Sequence, residues 1–139
     1  LYPGSRRAFL VDSTVVLAVC LDSATLAVHD SVWKSAGYSV TTAGSIREAI
    51  ERLKAGDFDL VLLGHSIAAE DRERLTFLIR AFGSRVPVAS IGKVVGDCDT
   101  FANATFMSDP AELLLGMGEL MAKTAKMLAI RRVQNSLPA

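Results

Sequence analysis

Chemistry in this chain would have to come from a short list of side chains: two cysteines (Cys20, Cys98), two histidines (His29, His65) and a few carboxylates, with Asp22 standing close to Cys20. The cysteines belong to no metal-ligand pattern. Their spacing alone leaves a disulfide open, but two isolated cysteines without a secretory signal favour a reduced, cytosolic setting. Cys20 could serve as a redox thiol, although a cysteine used as a small buried hydrophobe is the commoner case. His29 lies one turn before Val32 and Trp33, which suits a helix histidine bordering a core better than a ligand. No nucleophile is paired with a base and no side chains form a metal set, so neither an enzyme activity nor a cofactor is expected.

Composition narrows the partners. Fifteen Lys and Arg balance fifteen Asp and Glu, so no global field draws the chain to nucleic acid or an anionic membrane. The pairs Arg6-Arg7 and Arg131-Arg132 are too short to change this. No apolar run approaches the ~20 residues that span a bilayer. With 139 residues, half of them hydrophobic and 22% charged, the chain fits one globular domain able to bury a proper core.

Any site must be positioned by alternating strands and helices. Thr14 to Val19 (TVVLAV) is a continuous apolar and β-branched run, as expected of a strand buried on both faces. A helix is expected from about Ser23 to Ala36, closed by Gly37. Tyr38 to Thr42 reads as a second strand. Ser45 and Glu48 form a capping box ahead of Ile46, Ala49, Ile50 and Leu53 at helical spacing, and Gly56 stops that helix. DLVLL from Asp59 to Leu63 is a third strand. Leu75, Leu78, Ile79 and Phe82 make the next helical stripe, ended by Gly83. Pro87 to Ile91 and Ala104 to Met107 are a fourth and a fifth strand. Asp109, Pro110 and Glu112 open the last helix as N-cap, N1 proline and N3 acid. Such alternation argues for a parallel sheet covered on both sides.

From Gly37 to Gly64 the chain reads GYSVTTAGSIREAIERLKAGDFDLVLLG. This resembles, without a gap, the second-strand to third-strand stretch of response-regulator receivers, where a GY-(strand)-A-(helix)-DLVLLD pattern is usual. PVASIG resembles the family's fourth strand and SDPAELL the start of its last helix, so the likeness runs over about residues 14 to 125. It implies a CheY-like, flavodoxin-like α/β fold: a doubly wound five-stranded parallel sheet of order 2-1-3-4-5. Only Lys93 to Asn103 is left for the crossover from the fourth to the fifth strand, where parallel strands usually need a dozen or more residues. The family's fourth helix is therefore expected to be shortened or missing, and the output face around it rebuilt or unused.

The resemblance also says where phosphoryl chemistry would sit. A receiver uses an aspartate at the end of the third strand as nucleophile and two acids after the first strand to hold Mg²⁺, a hard cation wanting oxygen ligands. A hydroxyl after the fourth strand and a lysine after the fifth neutralise charge on the transferred group. The matching positions here are Gly64 for the nucleophile and Cys20-Leu21 for the acidic pair, with only Asp22 remaining of that cluster. Gly92 stands at the hydroxyl position. Phe106, aligned backwards from Asp109-Pro110, stands at the lysine position, and it or its neighbour is expected to fill space near the pocket with apolar packing. The resemblance thus implies a degenerate pseudo-receiver lacking the phosphoacceptor aspartate. His65 is better read as a loop histidine that need not face the old pocket. One carboxylate, Asp22, makes a poor Mg²⁺ site, and Lys93 is by default solvated.

Residues 1–13 form an extension, or an added edge strand through Ala8 to Ser13. Residues 14–130 are the receiver-like domain, its last helix reaching as far as Val133, and 134–139 are a tail. The last turns carry Met127, Leu128, Ile130 and Val133 beyond what a strand of ~17–20 Å can cover. That stripe either pairs with a second copy or leads into a fused output domain. Alternatively, Gly116 and Gly118 bend the helix and return the tail to the body. Two function classes follow: a non-phosphorylatable two-component (phosphorelay) signalling module acting by protein contacts, or a flavodoxin-like small-molecule or nucleotide binder using the strand-mouth crevice. Against the second, the segment after the first strand is CLDSAT, with no Gly-rich phosphate loop. A crevice plugged by apolar side chains would favour the first.

Overall fold

The computed structural model describes residues 14–92 and 98–136, with the side chains of 128, 129 and 131–136 left aside. The extension 1–13, Lys93 and the side chains of Leu128 and Val133 lie outside the described residues. The elements are β1 (Val15–Val19), α1 (Ser23–Ser35), β2 (Ser39–Ala43), α2 (Ile46–Ala55), β3 (Leu60–Leu63), α3 (Ala69–Ala81), β4 (Val88–Gly92), β5 (Ala104–Met107) and α4 (Pro110–Ser136). The strands form one sheet in the order β2-β1-β3-β4-β5, every pair parallel. This is the doubly wound order expected.

Local chemistry accounts for the boundaries. Asp22 starts α1 by accepting from the amides of Ala24 and Thr25. Ser45 starts α2 by accepting from the Glu48 amide at 3.1 Å, while the Glu48 carboxylate reaches back to the Gly44 amide. The chain leaves α1 and α3 through Gly37 and Gly83, whose φ of 96° and 86° only glycine adopts without strain.

Alternate side chains of the buried strands face opposite layers. Val16, Ala18, Leu60, Leu62, Ala89, Ile91 and Phe106 meet Trp33 of α1 and Leu113 and Met117 of α4. Leu17, Val19, Val61, Leu63 and Val88 meet Ala49 of α2 and Leu75 and Ile79 of α3. Each such Leu, Val or Ile contributes about 1.5–3 kcal/mol of transfer free energy, and β3, buried along its whole length, is the centre of both layers.

The β4–β5 crossover has no helix among its described residues. Asn103 anchors its far end: its amide donates to Val88 O at 2.7 Å and its side-chain oxygen accepts from Val88 N at 2.8 Å. The Arg80 guanidinium donates to the same oxygen.

The last helix departs from the expected bounds. It continues three residues beyond Val133 to Ser136 and runs unbroken through Gly116 and Gly118; 27 residues make a rod of about 40 Å. Gly116 is not a bend point but a clearance. A Cβ there would lie 2.6 Å from the Phe106 ring, whereas one at Gly118 would meet nothing within 4 Å. After Met121 the described side chains are exposed except half-buried Thr124, so the helix projects rather than folding back.

Candidate functional site

The C-terminal ends of β1 and β3 bring together the positions singled out by the resemblance. Gly64 donates its amide to Val19 O at 2.7 Å. A Cβ on Gly64 would lie 3.1 Å from both Cβ and Sγ of Cys20 and 3.2 Å from Val19 O. The neighbouring strand end is closed down onto the glycine. Cys20 is buried and Cys98 exposed, and both are free thiols, so the disulfide left open by spacing is not formed.

One side chain not foreseen, Ser66, ties the two loops together. Its Oγ accepts from the Leu21 amide at 2.8 Å and lies 3.2 Å from Cys20 Sγ. The Cys20 thiol donates to Asp22 O at 3.4 Å, so the Ser66 hydroxyl donates to the sulfur. Leu21 turns its side chain outward, 48% exposed. Asp22 is occupied as a helix cap. The Thr25 hydroxyl at 2.8 Å, then the Thr25 and Ala24 amides and the proximity of His65, hold its carboxyl below the usual carboxylate range. Cys20 and Asp22 are thus engaged with their own chain, and Leu21 offers no oxygen ligand.

Behind Gly64 lies a crevice lined by Cys20, His29, Trp33, Leu62, His65 and Ile91, with a cavity of about 10 Å³. That is space for one water at most. His29 Nε2 donates to Ser108 O at 3.3 Å, and its ring centroid lies 5.5 Å from that of Trp33 at an interplanar angle of 44°. Burial pushes the His29 pKa down, opposed by the Ser108 bond and reinforced by His65, so the ring is neutral with its proton on Nε2. His29 borders the core, as its place before Trp33 suggested. His65 is a loop histidine, as expected, and it lines this crevice, which strand alternation did not require. It sits in the turn after β3, where alternation no longer applies. Its Nδ1 and Trp33 Nε1 are buried and have no hydrogen-bond partner among the described residues.

A larger cavity, about 230 Å³, lies on the other side of His65, bounded by Arg72, Ser90, Gly92, Asp99 and Thr105. Arg72 forms a bidentate pair with Asp99, Nε to Oδ2 at 2.8 Å and Nη2 to Oδ1 at 3.0 Å, with side chains only 16% and 12% exposed. Arg72 Nη1 also donates to Ile67 O, and the Ser90 hydroxyl donates to Asp99 Oδ2. The Asp99 amide donates to Thr105 Oγ1 at 3.2 Å. Arg72 first, then Ser90, hold the Asp99 carboxyl below its ordinary range against the opposing effect of burial. A sequence signal for this cluster existed: Arg72 shares one helical stripe with Leu75, Thr76 and Ile79, all buried, and an arginine there needs a partner.

Of the remaining positions, Gly92 pairs with Met107 at the strand ends and borders the larger cavity. Phe106 is buried, as expected, but it does not line the crevice behind Gly64. It packs with Ile91, Leu113 and Met117, its ring against Gly116. Met127 and Ile130 are 55% and 49% exposed. Among the described residues no group of three His, Cys, Asp or Glu side chains is placed to hold a metal ion, and no helix is long and apolar enough to cross a membrane.

Sheet order and helix placement define the CheY-like flavodoxin fold. Comparison with solved structures agrees. The chain is similar to a CheY-like response regulator receiver domain protein from Methanospirillum hungatei (21% identity, 82% of this chain and 98% of that one, TM-score 0.66). It is likewise similar to the receiver domain of the Francisella response regulator 1452 (15%, 80% and 98%, 0.69). A third similar structure is the complex of the phosphorylated P1 domain of CheA3 with CheY6 from R. sphaeroides (21%, 78% and 96%, 0.57). No protein-family model and no curated protein matches the sequence.

Proposed function

We propose that this domain is a receiver-like regulatory module of two-component type that takes no phosphoryl group, is not an enzyme, and acts in the cytoplasm through protein contacts. The contact of Cys20 with Gly64 carries this reading. Gly64 has no carboxylate, the Cβ of an aspartate there would make Cys20 give by a few tenths of an ångström, and the neighbouring side-chain oxygen ligands are replaced by a thiol and a leucine or spent on a helix cap. Partners are then other signalling proteins or a fused output domain, in keeping with the similar CheY6 structure, which is a complex with a CheA3 P1 domain. The crevice behind Gly64, about 10 Å³, has no room for a small molecule or nucleotide; the cavity of about 230 Å³ beside it is the place such a ligand would need, and its Arg72 and Asp99 are already paired with each other. Intact-mass measurement after treatment with acetyl phosphate and Mg²⁺ tests the proposal. No mass gain is expected; a Mg²⁺-dependent gain labile as an acyl phosphate overturns it.

The projecting part of α4 belongs to the same reading as the surface for a second copy or for a fused domain, its exposed Met127 and Ile130 being the apolar part of that surface. Light scattering on the chain and on a form ending at Lys126 compares the two. Loss of a dimer on truncation supports pairing of copies, and two monomers remove it.

A further inference from the structure

The contacts at the strand mouths form one path. The Leu21 amide meets Ser66 Oγ; the next residue, Ile67, gives its carbonyl to Arg72; Arg72 grips Asp99; and Asp99 meets Ser90 through its carboxylate and Thr105 through its amide. The path crosses the sheet from the β1–α1 loop through the β3–α3 turn and the first turns of α3 to β4, the crossover loop and β5. Each step is a polar contact between groups with few alternatives. The Arg72–Asp99 pair is largely buried, and the Ile67 side chain is locked in the layer under α3. Ser66 immediately precedes Ile67, whose carbonyl Arg72 holds, so a displacement of the Ser66 backbone reaches that carbonyl through a single intervening residue.

We propose that this belt is a conformational latch coupling the β1–α1 loop to the β4–β5 crossover, so that a partner engaging Leu21 and Asp22 at one end alters the surface around Asp99 at the other. It deepens the proposed function by naming how a module without phosphoryl chemistry transmits a contact. It stands on the belt's geometry, however, and not on the state of Gly64. Coupling of this kind is reciprocal: whatever loosens one end loosens the other. The segment between Gly64 and Arg72 contacts both ends, and the latch requires it to have two arrangements that each end biases. Among its described residues, the crossover has no helix of its own and is held to the body by Asp99 and Asn103.

Amide hydrogen exchange on the full chain, read separately for residues 18–23, 64–70 and 98–105, tests the latch. In Ser66→Ala, exchange is expected to rise about three- to tenfold at Leu21, where a hydrogen bond is lost, and also at Asp99 and Thr105. In Asp99→Asn, the rise at Asp99 should be accompanied by one at Leu21. Arg72→Lys, which keeps the charge and gives up the bidentate grip, should loosen both ends. Unchanged protection of residues 39–41 of β2, away from the Cys20–Ala43 hydrogen bond, separates local release from general destabilisation. If each variant loosens only its own end, or if that part of β2 exchanges in step with the belt, the latch is overturned. Phosphorylation in the mass measurement would overturn the proposed function and leave this result to be read on its own.

Discussion

The two halves of the sheet's C-terminal edge solve the same packing problem in opposite ways. Between β1 and β3, small residues let backbone and thiol close over a nearly solid, mostly apolar crevice. Between β4 and β5, a buried arginine and aspartate are kept together with hydroxyls beside an open cavity of about 230 Å³. The first half replaces charge with contact. The second retains charge, and must satisfy it completely, because a lone buried ion is far more costly than the pair is stabilising.

That asymmetry predicts where the molecule breaks most easily. Asp99→Ala leaves Arg72 without its partner and should cost about 3 kcal/mol, the low end for a buried pair since this one keeps slight exposure; urea midpoints measure it. Replacing both Arg72 and Asp99 by apolar residues should cost less than the single change. A double variant as unstable as the sum of the two single changes would mean that the pair carries no coupling energy. The pair also has a pH signature. Asp99 is held below its ordinary range, so its contribution is present above the unfolded value of about 3.9 and lost as pH falls through the folded one. Acid unfolding should therefore steepen below about pH 3.9, and Asp99→Asn should remove that part of the slope.

How much of this was legible in the sequence follows the same division. Strand runs, capping residues and Gly37 and Gly83 marked the elements, because burial on both faces and positive φ leave direct marks on residue type; the sheet order came from the resemblance. Gly64, Cys20 and Gly92 were visible as positions through the resemblance. What they became was not: nothing in the spacing said that Ser66 would bridge Cys20 and Leu21, since the bridge joins residues 45 apart in sequence. Arg72 and Asp99, separated by 27, were missed for the same reason, although Arg72 on a buried stripe was a readable sign. Gly116 was read as a helix weakener. Its actual role, clearing space for Phe106, needs the position of a side chain on another element.

Three glycines sharpen the contrast between filled and open space. Gly64→Asp places a carboxylate at the end of β3 but brings its Cβ within 3.1 Å of Cys20 and 3.2 Å of Val19 O; overpacking of this sort costs about 1–3 kcal/mol. Pairing it with Cys20→Gly, which removes both clashing side-chain atoms, should recover part of the loss. No recovery would mean that the Val19 carbonyl dominates. Gly116→Ala should lose about 1–2 kcal/mol, the clash with the Phe106 ring outweighing the helix propensity of alanine. Gly118→Ala, which meets open space, should gain up to ~1 kcal/mol. Opposite signs two residues apart in one helix, read as thermal midpoints, would establish that Gly116 is there for Phe106. A gain at both positions would show that the ring gives way freely.

The smallest effect belongs to the closed half and depends on pH. His29 is tucked against Trp33, donates through Nε2 to Ser108 O, and faces His65 across the crevice, with the carboxylate of Asp22 committed to the start of its own helix. Burial depresses its pKa below the ordinary value of about 6.5. A depressed histidine is neutral in both states at high pH and contributes nothing to the dependence there. As pH falls through about 6.5 the unfolded chain takes up the proton first, so folding weakens from that point down to the folded-state pKa and then levels off. His29→Gln, which can keep a donor towards Ser108 without titrating, should flatten the stability profile just below about pH 6.5 while leaving the acid limb of Asp99 in place. The two halves would then be separable by pH alone: the crevice near neutrality, the ion pair in acid. Urea midpoints at half-unit steps resolve the two limbs, and a profile left unchanged by His29→Gln on the acid side of about pH 6.5 would show that the ring titrates as freely in the fold as in the unfolded chain.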